Sequence, residues 1–362
     1  MWTYHNPVDI HAGAGSLARL PEILNGRDCV LVTFPEAPAL GLVEQVSQLL
    51  GERLRGVIAE VQPNPDVQWL APLYEHVHQR WEDVPCLVAL GGGSAIDTAK
   101  ALMCATPSGS FADLLGALKQ DAALPDGAHK SLIAVPTTAG TGSEVTPWAT
   151  IWDQAGGRKH SLHQPWTWPE AAIIDPTLML SLPAATTLAS GLDALSHALE
   201  SIWNVNRNPV STALASSAAQ RIQRVLPALM QDLGNVALRA EMAQAALLAG
   251  LAFSNTKTAL AHSLSYEITL HHGVTHGIAC SFSLPLVLEM ALGSDAETDQ
   301  ALRGIFRADS NETAIATLRD FLNGLGVATD PADYGVSAND WGDMVRMASQ
   351  GPRGRNFIRA FA

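Results

Sequence analysis

Lysine is scarce in this 362-residue chain. Of its 22 basic residues only five are lysines, against 35 acidic ones, which leaves a formal net charge of -13. The sole basic run is the short group Arg353, Arg355 and Arg359. A surface that neutralises phosphates needs clustered cations, so nucleic-acid binding is not expected. Cysteine is equally sparse: Cys29, Cys86, Cys104 and Cys280 stand far apart in apolar segments, which excludes a disulfide framework or a zinc knuckle. Long hydrophobic runs are also missing. No apolar stretch approaches the roughly 18 residues of a membrane span, and Met1-Trp2-Thr3-Tyr4-His5-Asn6-Pro7 lacks the pattern of a signal peptide. A cytoplasmic protein without membrane or nucleic-acid partners is expected.

What is present is a large apolar fraction, 47%, with charged residues at 16%, and a length that suits two domains rather than one core. In the first half, short β-branched runs alternate with helical spacing. Strands are expected over 28–34, 57–61 and 86–90, with helices over 40–50 and 67–81 between them, which predicts a parallel sheet covered on both faces. Directly after the third strand comes Gly91-Gly92-Gly93-Ser94-Ala95-Ile96-Asp97. Its glycines let the backbone turn and a ligand approach, and Ser94 with Asp97 has the form of a capping box opening a helix whose free N–H groups suit a phosphate. A second loop follows a strand at 131–135: Pro136-Thr137-Thr138-Ala139-Gly140-Thr141-Gly142-Ser143-Glu144-Val145-Thr146, rich in small hydrogen-bond donors. Two such loops on one sheet favour a dinucleotide. A hairpin around 152–158 and a strand at 171–174 complete this half, and Pro176 and Pro183 mark its end. The expected domains are 1–182, an α/β dinucleotide-binding domain, and 183–362, an all-helical domain.

The second half reads as helices throughout: 188–204, 209–233, 236–254, 258–270, 277–290 and shorter ones beyond. In the first of these, Asp193 and His197 stand at i and i+4 and so share one helix face. Such a pair is most often a plain surface contact. His262 and His276, however, also fall in apolar helical surroundings, where a polar ring needs a partner. One carboxylate and three imidazoles suit iron(II) or zinc and leave room for a substrate oxygen. Cys280 follows His276 by four and can share its face, although a packed core thiol is the simpler reading.

Taken together these motifs resemble the iron-containing (group III) alcohol dehydrogenases, which share a fold with glycerol dehydrogenase and dehydroquinate synthase. The likeness spans nearly the whole chain and is carried by Gly91–Ser94 with Asp97, Pro136–Glu144, Ala172-Ile173-Ile174-Asp175-Pro176, Asp193-x-x-x-His197, and His262 and His276. The resemblance implies that Asp193, His197, His262 and His276 bind iron(II), replaceable by zinc or nickel. It implies that Gly91, Gly92, Gly93, Ser94, Asp97, Thr137, Thr138, Thr141, Ser143, Thr146 and Lys159 bind NAD or NADP, with metal and cofactor in a cleft between the domains. The implied activity is hydride transfer between the nicotinamide and a small alcohol or aldehyde, in a homodimer. The alternative is a carbon-oxygen lyase of the dehydroquinate synthase type, for which cations are too few.

There are two departures from the family pattern. Tyr266 stands where many members carry a further His, so no proton-relay residue is assigned there, nor to His271 or His272 in the following loop. After the first strand the chain reads Thr33-Phe34-Pro35, without the acidic residue that repels a 2′-phosphate, which leaves NADP open. The segments 1–8, 271–280 and 351–358 resemble the branch associated with phosphonate metabolism, which reduces phosphonoacetaldehyde to 2-hydroxyethylphosphonate. Arg353 and Arg355 are the expected anion-binding residues, with Lys257 and Arg207 behind them.

Overall fold

A computed structural model describes residues 1–124 and 129–359. The chain packs as two units. One consists of Pro7–Thr138 and Ser143–Ser181; the other joins Met1–Asn6 and Ala139–Gly142 to everything from Leu182 onward. The last residues of the expected second domain, 360–362, lie outside the described residues.

The first unit is built on a parallel six-stranded sheet ordered β1-β8-β5-β4-β2-β3. Its strands are β1 (Asp9–Ala12), β2 (Cys29–Thr33), β3 (Leu54–Ile58), β4 (Cys86–Gly91), β5 (Ser131–Pro136) and β8 (Ala171–Ile174). β2, β4 and β8 are buried along their whole length, which is why they read as unbroken apolar runs. Helices α1 (Leu20–Leu24), α2 (Leu42–Leu50), α3 (Val67–Arg80), α4 (Gly93–Met103) and α5 (Phe111–Gln120) supply the covers. Two apolar clusters lie on opposite faces: Val30, Val32, Leu87 and Ala89 face one way, and Leu31, Val88 and Leu90 the other. β6 (Trp148–Asp153) and β7 (Arg158–His163) form the expected antiparallel hairpin.

Several boundaries differ from the sequence expectation. The strand placed at 57–61 is Leu54–Ile58, since residues 59–61 leave the sheet. β1 and α5 were not foreseen. β1 is a mostly exposed edge strand with no apolar alternation, and it forms only because β8 lies alongside it, 162 positions away at Asp9↔Ala171. α5 is capped by Ser110, which accepts from the Ala112 N–H. The capping box is not formed: Gly92 is the N-cap of α4, and Ser94 accepts instead from the Asn64 N–H at 3.1 Å.

The sheet's chain order reverses between β2 and β4, because β3 lies to one side of β2 and β4 to the other. Open parallel sheets bind ligands beyond the carboxyl ends of the strands at such a reversal. Thr33 and Gly91 end those two strands.

The second unit is helical: α6 (Ala184–Ile202), α7 (Pro209–Gln231), α8 (Val236–Thr256), α9 (Leu260–His272), α10 (His276–Ser281), α11 (Leu284–Ala291), α12 (Ala296–Phe306), α13 (Asn311–Gly324) and α14 (Ala338–Gln350). The helix expected over 277–290 is two, because Pro285 sits in the first turn of α11 and has no N–H to continue the ladder. α8 is long and apolar enough on length and composition to cross a membrane, although Arg239 and Glu241 interrupt its apolar sequence. Here it packs against α6 and α7, and its buried Arg239 donates to Thr187 Oγ1 and to the carbonyls of Leu182 and Leu233.

α6 is the centre of this unit. Ala and Leu favour its helix, and from Gly191 to Ile202 every residue is buried. Leu192, Leu195 and Leu199 are fully covered, each contributing roughly 1.5–3 kcal/mol. A helix buried all round has no solvated face, so its polar residues must find partners inside the protein.

Candidate metal and cofactor site

Asp193 and His197 lie one turn apart on α6, 4% and 5% exposed. Asp193 Oδ1 is the point of convergence. His197 Nε2 lies 4.0 Å from it, His262 Nε2 3.4 Å and His276 Nε2 4.0 Å. The rings pack against one another: His197 stacks between His262, at 4.5 Å, and Phe253, at 4.1 Å, while His276 meets His262 edge-on. Asp193 Oδ1 and His262 Nε2 have no hydrogen-bond partner among the described residues. A buried orphan acceptor costs about 1–3 kcal/mol, and two facing each other call for a cation between them. The donor set therefore fits a divalent metal.

Glu200 fixes His262. It accepts from the Ala259 N–H at 2.8 Å and the His262 N–H at 3.1 Å, so it caps α9, whose own N-cap residue, Ala259, has no side chain to do so. Its Oε2 also lies 2.7 Å from His262 Nδ1. A carboxylate on one ring nitrogen turns the other, with its lone pair, toward the cluster. Burial alone raises the Glu200 carboxyl, but His262 and the two backbone N–H groups outweigh it and hold it below its ordinary value. Burial lowers His197 to about 4, so its imidazole is neutral near pH 7, as metal ligation requires. Sequence reasoning missed Glu200, although 193, 197 and 200 follow i, i+4, i+7 on one face, the signal that finds it.

His276 reaches the cluster because α10 lies directly on α6. A Cβ on Gly277 would collide with the backbone of Ala189, so only glycine allows this approach. Cys280, one turn later, is fully buried with Sγ 3.6 Å from His276 Nε2. Burial raises its thiol, but His262 and His276 outweigh that and bring it to about 7.

In the α/β unit, Gly91 ends β4 with φ 158°, and a Cβ there would lie 2.6 Å from that of Ala95. Gly92 packs against Thr138, Gly93 opens α4, and the Thr137 N–H donates to the Gly91 carbonyl. Asp97 does not cap a helix. It accepts from Ser143 Oγ at 2.6 Å and the Thr150 N–H at 2.8 Å, while Lys100 Nζ donates to Ser143 O, Ser143 Oγ, Thr146 O and Trp148 O. Asp97 and Lys100 thus shape the second loop from inside. Thr141 belongs to the short segment that packs with the helical unit, and Lys159 Nζ lies 3.6 Å from the centre of the Trp152 ring. Thr33 Oγ1 donates to the Leu90 carbonyl, and Phe34 rather than an acidic residue follows it directly at the end of β2.

Of the expected anion-binding residues, Arg353 lies over the ring of Tyr266. Its guanidinium lies 4.8 Å from the centre of the Tyr266 ring, one turn after His262. Arg207 is paired with Asp295 at 2.9 Å. Arg355 is exposed in a groove with Val205 and Phe357, and Lys257 ends α8 in a left-handed conformation. His271 pairs with Glu267 at the exposed end of α9.

Residues 7–176 match the family model for iron-containing alcohol dehydrogenase, and 187–360 match that of the family's C-terminal region. The chain belongs to the iron-containing alcohol dehydrogenases. An NAD-dependent methanol dehydrogenase from Bacillus methanolicus is 32% identical over 336 residues, covering 89% of this chain and 85% of that one. A sulfoacetaldehyde reductase from Bilophila wadsworthia is 28% identical over 331 residues, covering 88% and 84%. The crystal structure of sulfoacetaldehyde reductase from Bifidobacterium kashiwanohense in complex with NAD+ superposes with a TM-score of 0.89 at 29% identity, covering 100% of this chain and 96% of that one. This iron-containing alcohol dehydrogenase is an oxidoreductase that moves a hydride between a nicotinamide cofactor and a small alcohol or aldehyde, and the lyase alternative is not favoured.

Proposed function

We propose that Asp193, His197, His262 and His276 hold iron(II), which zinc or nickel can replace, and that the substrate is a two-carbon aldehyde bearing a fixed anion, with phosphonoacetaldehyde reduced to 2-hydroxyethylphosphonate. The convergence of three imidazoles on the unpartnered Asp193 Oδ1 supports the metal assignment. Bound there, the metal supplies Lewis-acid polarisation of the substrate oxygen. The protein's part is orientation. Glu200 and the packing of Gly277 hold His262 and His276 in place, and burial keeps His197 neutral.

Arg353 beside Tyr266 supports the anionic substrate, since a guanidinium matches phosphonate or sulfonate oxygens. That one similar enzyme is a sulfoacetaldehyde reductase agrees with this reading. The N-terminus of α4 with Gly91, Gly92, Gly93 and Ser94 would take the pyrophosphate, and Thr137, Thr138, Thr141, Ser143, Thr146 and Lys159 the rest of the dinucleotide. Phe34 directly after β2, in place of an acidic residue, leaves NADPH open beside NADH. Four free, buried cysteines fit a cytoplasmic setting, and a homodimer is the symmetric default.

The test compares kcat/KM for phosphonoacetaldehyde, sulfoacetaldehyde and an uncharged aldehyde of similar length, in wild type and Arg353→Ala. Losing the charge-assisted contact lowers the anionic substrates roughly 10- to 150-fold and spares the uncharged one. An equal loss on all three, or no anionic preference in the wild type, removes the assignment.

A further inference from the structure

Cys280 stands closer to the metal-binding cluster than a packed core thiol needs to. One ligand atom from each of Asp193, His262, His276 and Cys280 lies within 4.8 Å of all the others. Two of these spacings match those around a single ion, while Asp193 Oδ1 and His276 Nε2 lie 4.0 Å apart. Around a tetrahedral zinc, with nitrogen or oxygen at about 2.0 Å and sulfur at about 2.3 Å, neighbouring ligand atoms stand about 3.3–3.6 Å apart. His262 Nε2 and Asp193 Oδ1 are 3.4 Å apart, and His276 Nε2 and Cys280 Sγ 3.6 Å. Independently of the cysteine, Asp193 Oδ1 and His262 Nε2, 3.4 Å apart, are buried and have no hydrogen-bond partner among the described residues.

We propose that Cys280 is a sulfur ligand of the metal centre, so that a thiophilic ion, zinc or cobalt(II), is held by Asp193, His262, His276 and Cys280. This inference rests on reading the Asp193 cluster as the metal centre. As the sulfur bonds the ion, the thiol proton leaves to solvent. Iron(II) is served by the oxygen and nitrogen donors including His197, whereas a softer ion draws in the sulfur. The chain thereby offers two overlapping ligand sets, and the identity of the ion selects between them.

Cobalt(II) reports sulfur ligation directly, through a sulfur-to-cobalt charge-transfer absorption in the near ultraviolet. The metal-free full chain is titrated with cobalt(II) alone, in wild type, Cys280→Ser and Cys280→Ala, and zinc affinity is measured by chelator competition. Wild type is expected to bind one cobalt with that absorption, both variants to lose it, and Cys280→Ser to bind zinc roughly tenfold or more weakly. Cobalt bound by wild type without the absorption, or an absorption unchanged in the variants, overturns the role of Cys280 and leaves the Asp/His centre standing. No bound cobalt overturns both. Should the variants not fold, the wild-type spectrum still decides, since Cys29, Cys86 and Cys104 all belong to the α/β unit.

Discussion

Glu200 shows how much a single side chain can settle. One buried carboxylate caps α9 and fixes the ring of His262. Glu200→Gln keeps the shape and loses the charge, and metal affinity measured by chelator competition should fall roughly 10- to 100-fold with the circular dichroism unchanged. Unaltered affinity would show that the ring is held by packing alone. A second residue-scale prediction concerns Glu144, whose carboxyl burial pushes up to about 7 from 4.5. Between those values the folded state holds a proton that the unfolded chain has lost, so this group makes stability fall as pH rises through that window. Glu144→Gln should flatten the slope of melting temperature against pH there, and an unchanged slope would assign it to other groups. Asp193, His197, His262 and His276, which the structure brings together, stood out in the sequence because i, i+4 spacing and isolated histidines in apolar helices are local signals. The place of Arg353 over Tyr266 was not, since 87 residues separate them and no local pattern records the contact.

Among the elements, the contact of α10 with α6 is the one on which the site depends. The pattern over 277–290 reads as one helix, and its periodicity is genuine on both sides of the break. What the pattern cannot show is that α10 must be short enough to lay Gly277 on Ala189 while α11 turns away at Pro285. Gly277→Ala should cost about 1–3 kcal/mol by overpacking and, because α10 is pushed off α6, should also weaken metal binding. A variant that loses stability but binds metal as tightly as wild type would separate His276 from this contact. In the sheet, strands buried on both faces announced themselves as β-branched runs. β1 did not, because an exposed edge strand owes its conformation to a partner far along the chain.

For the whole molecule, metal binding and stability are linked. An ion held only by the folded protein stabilises it by about 4.1 kcal/mol when its free concentration is 1,000 times Kd. Removing metal from anaerobically prepared enzyme should lower the melting temperature by several degrees, and metal analysis of the untreated sample should find iron. A melting temperature indifferent to chelation would argue against a site buried among α6, α9 and α10. The two-unit organisation was visible as a change from strand-helix alternation to unbroken helical patterns near Pro183. That Met1–Asn6 and Ala139–Gly142 join the helical unit was not visible, because short segments carry no periodicity of their own.

Those first six residues bear on how the protein is made. The His5 N–H donates to the Asn255 side chain, which returns a bond to the His5 carbonyl, and Tyr4 donates to the Leu251 carbonyl. The partners are separated by 250 positions for His5 and 247 for Tyr4. At roughly 5–20 residues per second, a ribosome takes about 12 to 50 s to cover that distance. Throughout that interval the α/β unit can assemble while residues 1–6 stay undocked, so they are translated before their partners and settle only when α8 emerges to receive them.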